Sequence, residues 1–296
     1  MINLIRRIVK FLAFHFVLRV GYLKHFILRL KSKNGIIIKN IQGSRMYIDL
    51  KDMGISSEIA LYGIREPEST KMIQKVVKDG DVVLEIGANR GYYALMESKL
   101  VGKNGKVYCI EPLPENVEHL KKNIELNGYN NMEVYQLAIG DKNGTASMSI
   151  SSHSNLGSLM DKKDSRIVGS LKVKLVTLDN FLKEKRFPDF IRMDVEGYEY
   201  NIIKGMMNVL KSNKPLKMFI EVHPHIMNKG QTTFVLKSMM EHGFKTKKVT
   251  MSFTMPEMKV KSREDYDYSS KSIKELLSDE SIISGSKGAF EIFFER

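Results

Sequence analysis

Five acids and a histidine stand where apolar runs end: Glu85 after Val82-Val83-Leu84, Glu111 after Val107 to Ile110, Asp194 and Glu196 beyond Asp189 to Met193, and Glu221 and His223 closing Lys217 to Val222. Carboxylates and imidazoles so placed can hold a cation, accept hydrogen bonds from sugar hydroxyls or take a proton from an attacking oxygen. Between the first two acids lies a tight turn, Gly87-Ala88-Asn89-Arg90-Gly91. A dinucleotide-binding turn reads G-x-G-x-x-G, its second glycine letting backbone approach a pyrophosphate. Here Asn89 takes that place and Glu85 puts negative charge just before the turn. That charge repels phosphate and suits the sulfonium or ammonium of S-adenosylmethionine. Glu111, twenty positions beyond Gly91, can accept from both ribose hydroxyls. The expected cofactor is therefore S-adenosyl-L-methionine rather than a nicotinamide.

Three signatures in order, Glu85-Ile-Gly-Ala-Asn-Arg-Gly, Cys109-Ile-Glu-Pro-Leu-Pro-Glu-Asn and Arg192-Met-Asp-Val-Glu-Gly-Tyr-Glu, together with Tyr62-Gly-Ile-Arg-Glu-Pro-Glu ahead of the first strand, resemble the FkbM-type methyltransferases. The likeness runs from about Asn34 to the C-terminus and leaves out the first thirty or so residues. It implies a class I methyltransferase fold: a Rossmann-like, doubly wound, mostly parallel seven-stranded sheet whose last strand inserts antiparallel between the fifth and sixth. It also implies methyl transfer, usually to a hydroxyl of a sugar, lipid or other metabolite. Glu85 stands where that family more often has aspartate, which keeps the charge and lengthens the reach. The cofactor set is Glu85, Gly87, Ala88, Asn89, Gly91, Glu111, Pro112, Asp141 and Asp194. The catalytic candidates are Glu196, His223 and Asp194, with Glu196 and His223 favoured as base. No metal is expected, although Asp194, Glu196, Glu221, His223 and His225 could ligate magnesium or manganese through oxygen and imidazole. Glu199 is read as capping or solvating the helix after it, and His225 as satisfying a turn.

The elements that must position these residues follow from periodicity and punctuation. Alternation of apolar runs with helical stretches and short turns argues a doubly wound parallel sheet. Gly35–Ile41 and Arg45–Leu50 read as a hairpin, Glu66–Lys78 as a helix, and Val82–Ile86, Lys106–Ile110, Met132–Ile139, Asp189–Met193 and Lys217–Val222 as five sheet strands. Helices are expected from Gly91 to Val101, from Pro114 to Asn127, over Asp179–Lys185, and along the apolar stripe Ile202, Ile203, Met206 and Leu210. Lys174–Leu178 reads as a further strand, and Phe244–Phe253 with Ala289–Phe294 as the final pair. Gly140–Lys172, rich in Ser, Gly, Asp and Asn and containing His153, Asn155 and Ser158, breaks the rhythm and reads as a hairpin and loop inserted over the site.

The chain has 296 residues, 43% of them hydrophobic, enough for one large α/β domain over 71–296, a hairpin and approach segment over 34–70, and a leader over 1–33. A single cysteine, Cys109, excludes an intrachain disulfide and fits a reducing cytoplasmic setting. Net charge is +13, yet ten of the bases and no acid precede Asp49, so the body beyond carries only +3. The leader interrupts Phe, Leu, Ile and Val with a base every few residues. Its longest uncharged run is far too short to span a bilayer, and no small-residue cleavage site follows it. A basic amphipathic helix, broken at Gly21, and peripheral contact with the inner face of an anionic membrane are expected. Nucleic acid is an unlikely partner because the bases are interleaved with aliphatics. The expected function is O-methylation of a hydroxylated sugar, glycan, lipid-linked or other small acceptor near a membrane face. The alternatives are a nicotinamide-dependent oxidoreductase, which Asn89 and Glu85 disfavour, and a non-catalytic membrane-associated protein that keeps the fold. A nucleic-acid amino group is disfavoured by the lack of an Asn-Pro-Pro-aromatic or Asp-Pro-Pro-aromatic motif.

Overall fold

The structure, a computed structural model, describes residues 19–30, 32, 34–52, 55–151, 159, 167–252, 267–269 and 271–296. Helix α1 covers 19–30. The elements that follow are β1 (Ile36–Ile41), β2 (Ser44–Asp49), α2 (Ile55–Tyr62), α3 (Pro67–Val76), β3 (Val82–Ile86), α4 (Tyr92–Val101), β4 (Lys106–Ile110), α5 (Pro114–Asn127) and β5 (Met132–Tyr135). Next come β6 (Ala138–Gly140), β7 (Gly144–Ser151), β8 (Ile167–Thr177), α6 (Leu178–Phe181), β9 (Phe190–Met193), α7 (Glu199–Lys204), α8 (Met207–Lys211), β10 (Lys217–Val222), α9 (Lys229–Glu241) and β11 (Lys245–Met251). Two short helices, Ile273–Ser278 and Glu280–Ile283, lead to β12 (Phe290–Glu295).

Seven strands form the main sheet in the order β11-β12-β10-β9-β3-β4-β5. The pairs β10–β9, β9–β3, β3–β4 and β4–β5 are parallel, while β12 lies antiparallel between β10 and β11. The inserted antiparallel last strand is the one the family resemblance implied. Strand β3 is buried at every position, as a central parallel strand with both faces covered must be. The strand order turns at β3, with β4 on one side and β9 on the other. The crevice beyond the carboxyl ends of β3, β4 and β9 is therefore the natural ligand site.

Because side chains alternate across a strand, the sheet sorts its residues into two layers. Val82, Leu84, Ile86, Ile191, Met193, Ile220, Val222, Ile292 and Phe294 join one apolar cluster. Val83, Val107, Cys109, Phe190, Phe219 and Phe293 join the other, together with Ile41, Met46, Ile48 and Leu50 of the β1–β2 region. Glu85, Arg192, Glu221 and Glu291 occupy the alternate positions of that second face. Register sets Glu85 opposite Arg192 and Glu221 opposite Glu291. A row of four ionisable side chains thus runs across the carboxyl-end half of the sheet, and all four are buried.

Local chemistry explains the boundaries. Gln42 and Gly43, at φ of 50° and 83°, make the two-residue hairpin turn that needs positive φ at both positions. Pro114 opens α5 and Gly128, left-handed, ends it. Three sequence expectations need correction. Met132–Ile139 is not one strand: β5 stays in the main sheet and β6 pairs with β8 in a three-stranded sheet ordered β6-β8-β7. The helix expected over Ile202 to Leu210 is split into α7 and α8 at Gly205, where a Cβ would lie 1.9 Å from the Gly140 carbonyl oxygen, so the joint packs backbone to backbone on β6. Gly21 does not break α1; it lies against α2, with Tyr62 Oη 3.5 Å from where its Cβ would be.

The insertion is a long β7–β8 hairpin whose Met148, with Leu159, reaches the cavity described below. His153, Asn155 and Ser158 lie outside the described residues, as does the leader before Arg19. Among the described residues no helix is long and apolar enough to cross a membrane.

Candidate active site

The turn after β3 is built from backbone outward. Gly87 sits at φ 90°, and a Cβ there would lie 2.0 Å from the Asp194 carbonyl oxygen, so only glycine lets this turn meet the end of β9. The Gly87 and Ala88 N–H groups donate to the Ile110 carbonyl at 3.0 and 2.9 Å, tying the turn to β4. Asn89 itself adopts φ 49°, a left-handed conformation that asparagine tolerates. Its N–H donates to Glu111 Oε2 at 2.8 Å, while Leu113 N–H donates to Glu111 Oε1 at 2.9 Å. Arg90, which also lines the cavity described below, reaches Asp49, Asp52 and Glu115, at 3.7, 3.6 and 3.2 Å, and anchors the turn to the β2 end. Gly91 caps α4 at φ 97° and does not line the cavity; a Cβ there would be 2.5 Å from Leu120 Cδ1.

Above this turn opens a cavity of about 1050 Å³, its mouth included. Glu85, Gly87, Ala88, Asn89, Glu111, Pro112, Asp194 and Glu196 all line it, as do Arg65 and Tyr198. Asp141 is a correction: it is absent from the lining and pairs with Lys204 at 3.4 Å, because β6 has left the main sheet. Glu111 is 4% exposed. Burial lifts its pKa, the Leu113, Asn89 and Asn116 donors partly offset that, and the balance is about 7. Ribose hydroxyls donating to Glu111 would favour its carboxylate form, so binding should expel a proton below that value. Donor affinity is therefore expected to fall as pH drops through 7, up to about tenfold per pH unit, and to plateau above. Calorimetry between pH 6 and 8 reads this, and Glu111→Gln should flatten the profile.

The second acid of the turn behaves differently. Glu85 Oε1 accepts from Arg192 Nη1 at 2.7 Å, and its Oε2 has no hydrogen-bond partner among the described residues. Arg192 also reaches Asp194 at 3.3 Å and Glu66 at 3.8 Å, and stacks on Tyr93 with 3.8 Å between guanidinium carbon and ring centre. Burial pushes Glu85 up against the pull of Arg192, and it pushes Glu97, buried in α4 beside it, higher still. Asp194 goes the other way: burial works against its charge, but Arg192, His223 and Arg65 outweigh it and hold the carboxyl below its usual range.

At the acceptor end, one oxygen of Asp194, one of Glu196 and one ring nitrogen of His223 lie within 4.8 Å of one another. Glu196 follows the end of β9 at φ 53°. His223 does not line the cavity wall but stands directly behind these acids. Its Nδ1 is bonded to Glu199 Oε1 at 2.7 Å, and its Nε2 faces Glu221 Oε1 at 3.6 Å. Burial opposes the imidazolium, yet Glu199, then Glu221 and Glu196, hold its pKa at about 10. The reading of Glu199 as a solvated cap is corrected: it is fully buried and positions His223, accepting also from Gly197 N–H at 3.0 Å. His225 is exposed.

Sequence reasoning missed the roles of Arg192, Glu66, Glu97, Glu199 and Glu291. The available signal was an acid or base alternating inside an apolar strand, as in Phe290-Glu291-Ile292 and Ile191-Arg192-Met193. Such a residue must face the buried side together with its neighbours two positions away.

A seven-stranded sheet with an antiparallel inserted last strand, and acids ending β3 and β4 around one cavity, defines a class I methyltransferase. The chain matches the methyltransferase FkbM domain over residues 85–246, more than half its length, and belongs to that family. Its methyl donor is S-adenosylmethionine. The site fits that molecule: Gly87 leaves no room for a side chain between turn and Asp194, and the buried carboxylate of Glu111 stands ready for a ribose beside Glu85, whose charge Arg192 already shares.

Over 58 residues the chain is 50% identical to the protein-L-isoaspartate O-methyltransferase of Fervidobacterium nodosum, covering 20% of this chain and 29% of that protein. It is likewise 50% identical over 56 residues to that of Methanococcus maripaludis, covering 19% and 26%. The chain thus spans less than a third of the length of these curated relatives. Among solved structures it is similar to a SAM-dependent methyltransferase from Aquifex aeolicus, at 16% identity, 83% and 94% coverage and a TM-score of 0.41. It is also similar to M. jannaschii TYW2 in complex with AdoMet, at 16% identity, 90% and 88% coverage and a TM-score of 0.44. That likeness is too distant to extend to activity.

Proposed function

We propose that this methyltransferase is an O-methyltransferase acting on a hydroxylated sugar, glycan or lipid-linked acceptor at an anionic membrane face. The observation that carries the reading is the Asp194–Glu196 pair, which meets the cavity just beyond β9 where an acceptor hydroxyl would enter. In the transfer the methyl carbon leaves sulfur for the acceptor oxygen, the C–S electron pair stays on sulfur, and the hydroxyl proton goes to a carboxylate. Holding acceptor and donor in line supplies much of the rate. Glu196 is the base we assign, because His223 with a pKa near 10 already carries a proton at neutral pH. Arg65 in the cavity lining, paired with Glu66 and Glu58, offers the acceptor a hydrogen-bond donor.

Support for the membrane face comes from α1. Gly21 and His25 turn inward, while Tyr22, Leu23, Phe26, Ile27 and Leu30 form one exposed stripe, Leu30 at 70% exposure, beside exposed Arg19, Lys24 and Arg29. An apolar stripe edged with bases suits the headgroup layer of an anionic bilayer.

The test incubates protein with methyl-labelled S-adenosylmethionine and fractionated extract of its own cells. Label entering a base-stable ether in the glycan or lipid fraction is expected; label confined to protein or RNA would contradict the acceptor class. Sedimentation with vesicles containing anionic lipid, but not neutral ones, should capture the chain, and Phe26→Asp with Leu30→Asp should release it. Equal recovery of the two proteins would remove the membrane from the account.

A further inference from the structure

We infer that Asp194, Glu196 and His223 form a binding site for one divalent cation, manganese being the best match, placed where the acceptor hydroxyl enters. The inference rests on the O-methyltransferase reading above and assigns that site a metal. Three observations lead to it. First, the three ligand atoms lie within 4.8 Å of one another, so small side-chain rotations would bring them inside the roughly 4 Å that ligands at about 2.1 Å can span across one octahedral ion. Second, the Glu199 carboxylate on His223 Nδ1 fixes the ring and leaves Nε2, which faces Glu221 at 3.6 Å, as the nitrogen free to bind an ion. A carboxylate behind a histidine is the usual outer support of a metal-bound imidazole, setting its tautomer and raising its basicity. Third, Glu221 is buried, its Oε1 lies 3.6 Å from His223 Nε2, and its Oε2 has no hydrogen-bond partner among the described residues. A buried carboxylate oxygen without a donor is costly unless a cation answers it.

Charge points the same way. Asp194, Glu196 and Glu199 stand around His223 with buried Glu221, and among the described residues Arg65 and Arg192 act on Asp194 from the other side. Two carboxylates and one imidazole, with positions left open toward the cavity, suit a borderline ion such as Mn²⁺; magnesium binds imidazole poorly. A hydroxyl oxygen entering an open position would lose its proton more readily. That proton passes to the second oxygen of Glu196 as the O–CH₃ bond forms and the C–S electron pair stays on sulfur. No oxidant or reductant is required.

The probe is Mn²⁺ itself, added to chelator-stripped full-length protein and followed by electron paramagnetic resonance. The inference expects one Mn²⁺ bound per chain, with loss of the free-ion signal. Glu199→Gln should weaken binding about 10- to 100-fold. Glu196→Gln, at a half-buried position and so less disruptive to folding, should weaken it at least about tenfold. A free-ion signal that persists at millimolar protein, or equal binding by Glu196→Gln, would overturn the inference. Calorimetry of S-adenosylmethionine on the same stripped protein separates the two claims. Donor binding without Mn²⁺ binding removes the metal alone, whereas absence of donor binding counts against the methyltransferase reading beneath it.

Discussion

Replacing Arg192 with methionine is expected to cost the fold about 3–5 kcal/mol, the loss seen when one partner of a buried ion pair is removed. Arg192 is 2% exposed and is the cation shared by Glu85, Asp194 and Glu66. Methionine keeps much of the volume and the contact with Tyr93, so the loss reads charge rather than a cavity. Without the guanidinium, burial alone governs Glu85, and its already raised pKa climbs further. A carboxyl raised in the folded state contributes stability that is lost as pH climbs through its folded pKa. The deficit should therefore widen from pH 6 to pH 8. Urea denaturation at the two pH values measures it, and Glu85→Gln in the same chain should recover a good part. A deficit below about 1 kcal/mol at both pH values would mean that the charge row is not what holds this half of the sheet together.

The second large effect is on donor binding. Glu111→Ala should weaken S-adenosylmethionine about 100-fold, since hydrogen bonds to a charged group contribute about 1.5–3 kcal/mol each. The variant also strands the Asn89 and Leu113 N–H groups that Glu111 now holds. Glu111→Gln keeps one carbonyl oxygen for those donors and should lose only about tenfold, a difference of one charge-assisted bond. Calorimetry reads both, with thermal unfolding to show that each variant is folded. Wild-type affinity in the alanine variant would remove Glu111 from the donor site.

Much of this site was legible in the sequence because its parts are local. The turn Gly87 to Gly91 and the acids at the ends of β3 and β4 are set by a few adjacent residues, and strands Val82–Ile86, Lys106–Ile110 and Lys217–Val222 fall where their apolar runs place them. What was hidden depends on register. Glu291 meets Glu221 only because β12 runs antiparallel beside β10, and Arg192 meets Glu85 only because β9 lies next to β3 although 107 residues separate the pair. Glu199 looked like a helix-starting acid because its partner, His223, is 24 residues away. Asp141 was expected at the cofactor, two residues past a third strand ending at Ile139, but the chain leaves the main sheet after Tyr135 and takes that carboxylate to Lys204. Gly205 gave no hint of splitting its helix, since the backbone it meets at Gly140 is distant in the chain.

Titrating S-adenosylmethionine and, separately, NADH into the wild-type protein by calorimetry at pH 8 goes to the heart of the account. One S-adenosylmethionine bound per chain, with no heat from NADH, is the outcome the paired acids Glu85 and Glu111 require. Binding of NADH without S-adenosylmethionine would contradict them.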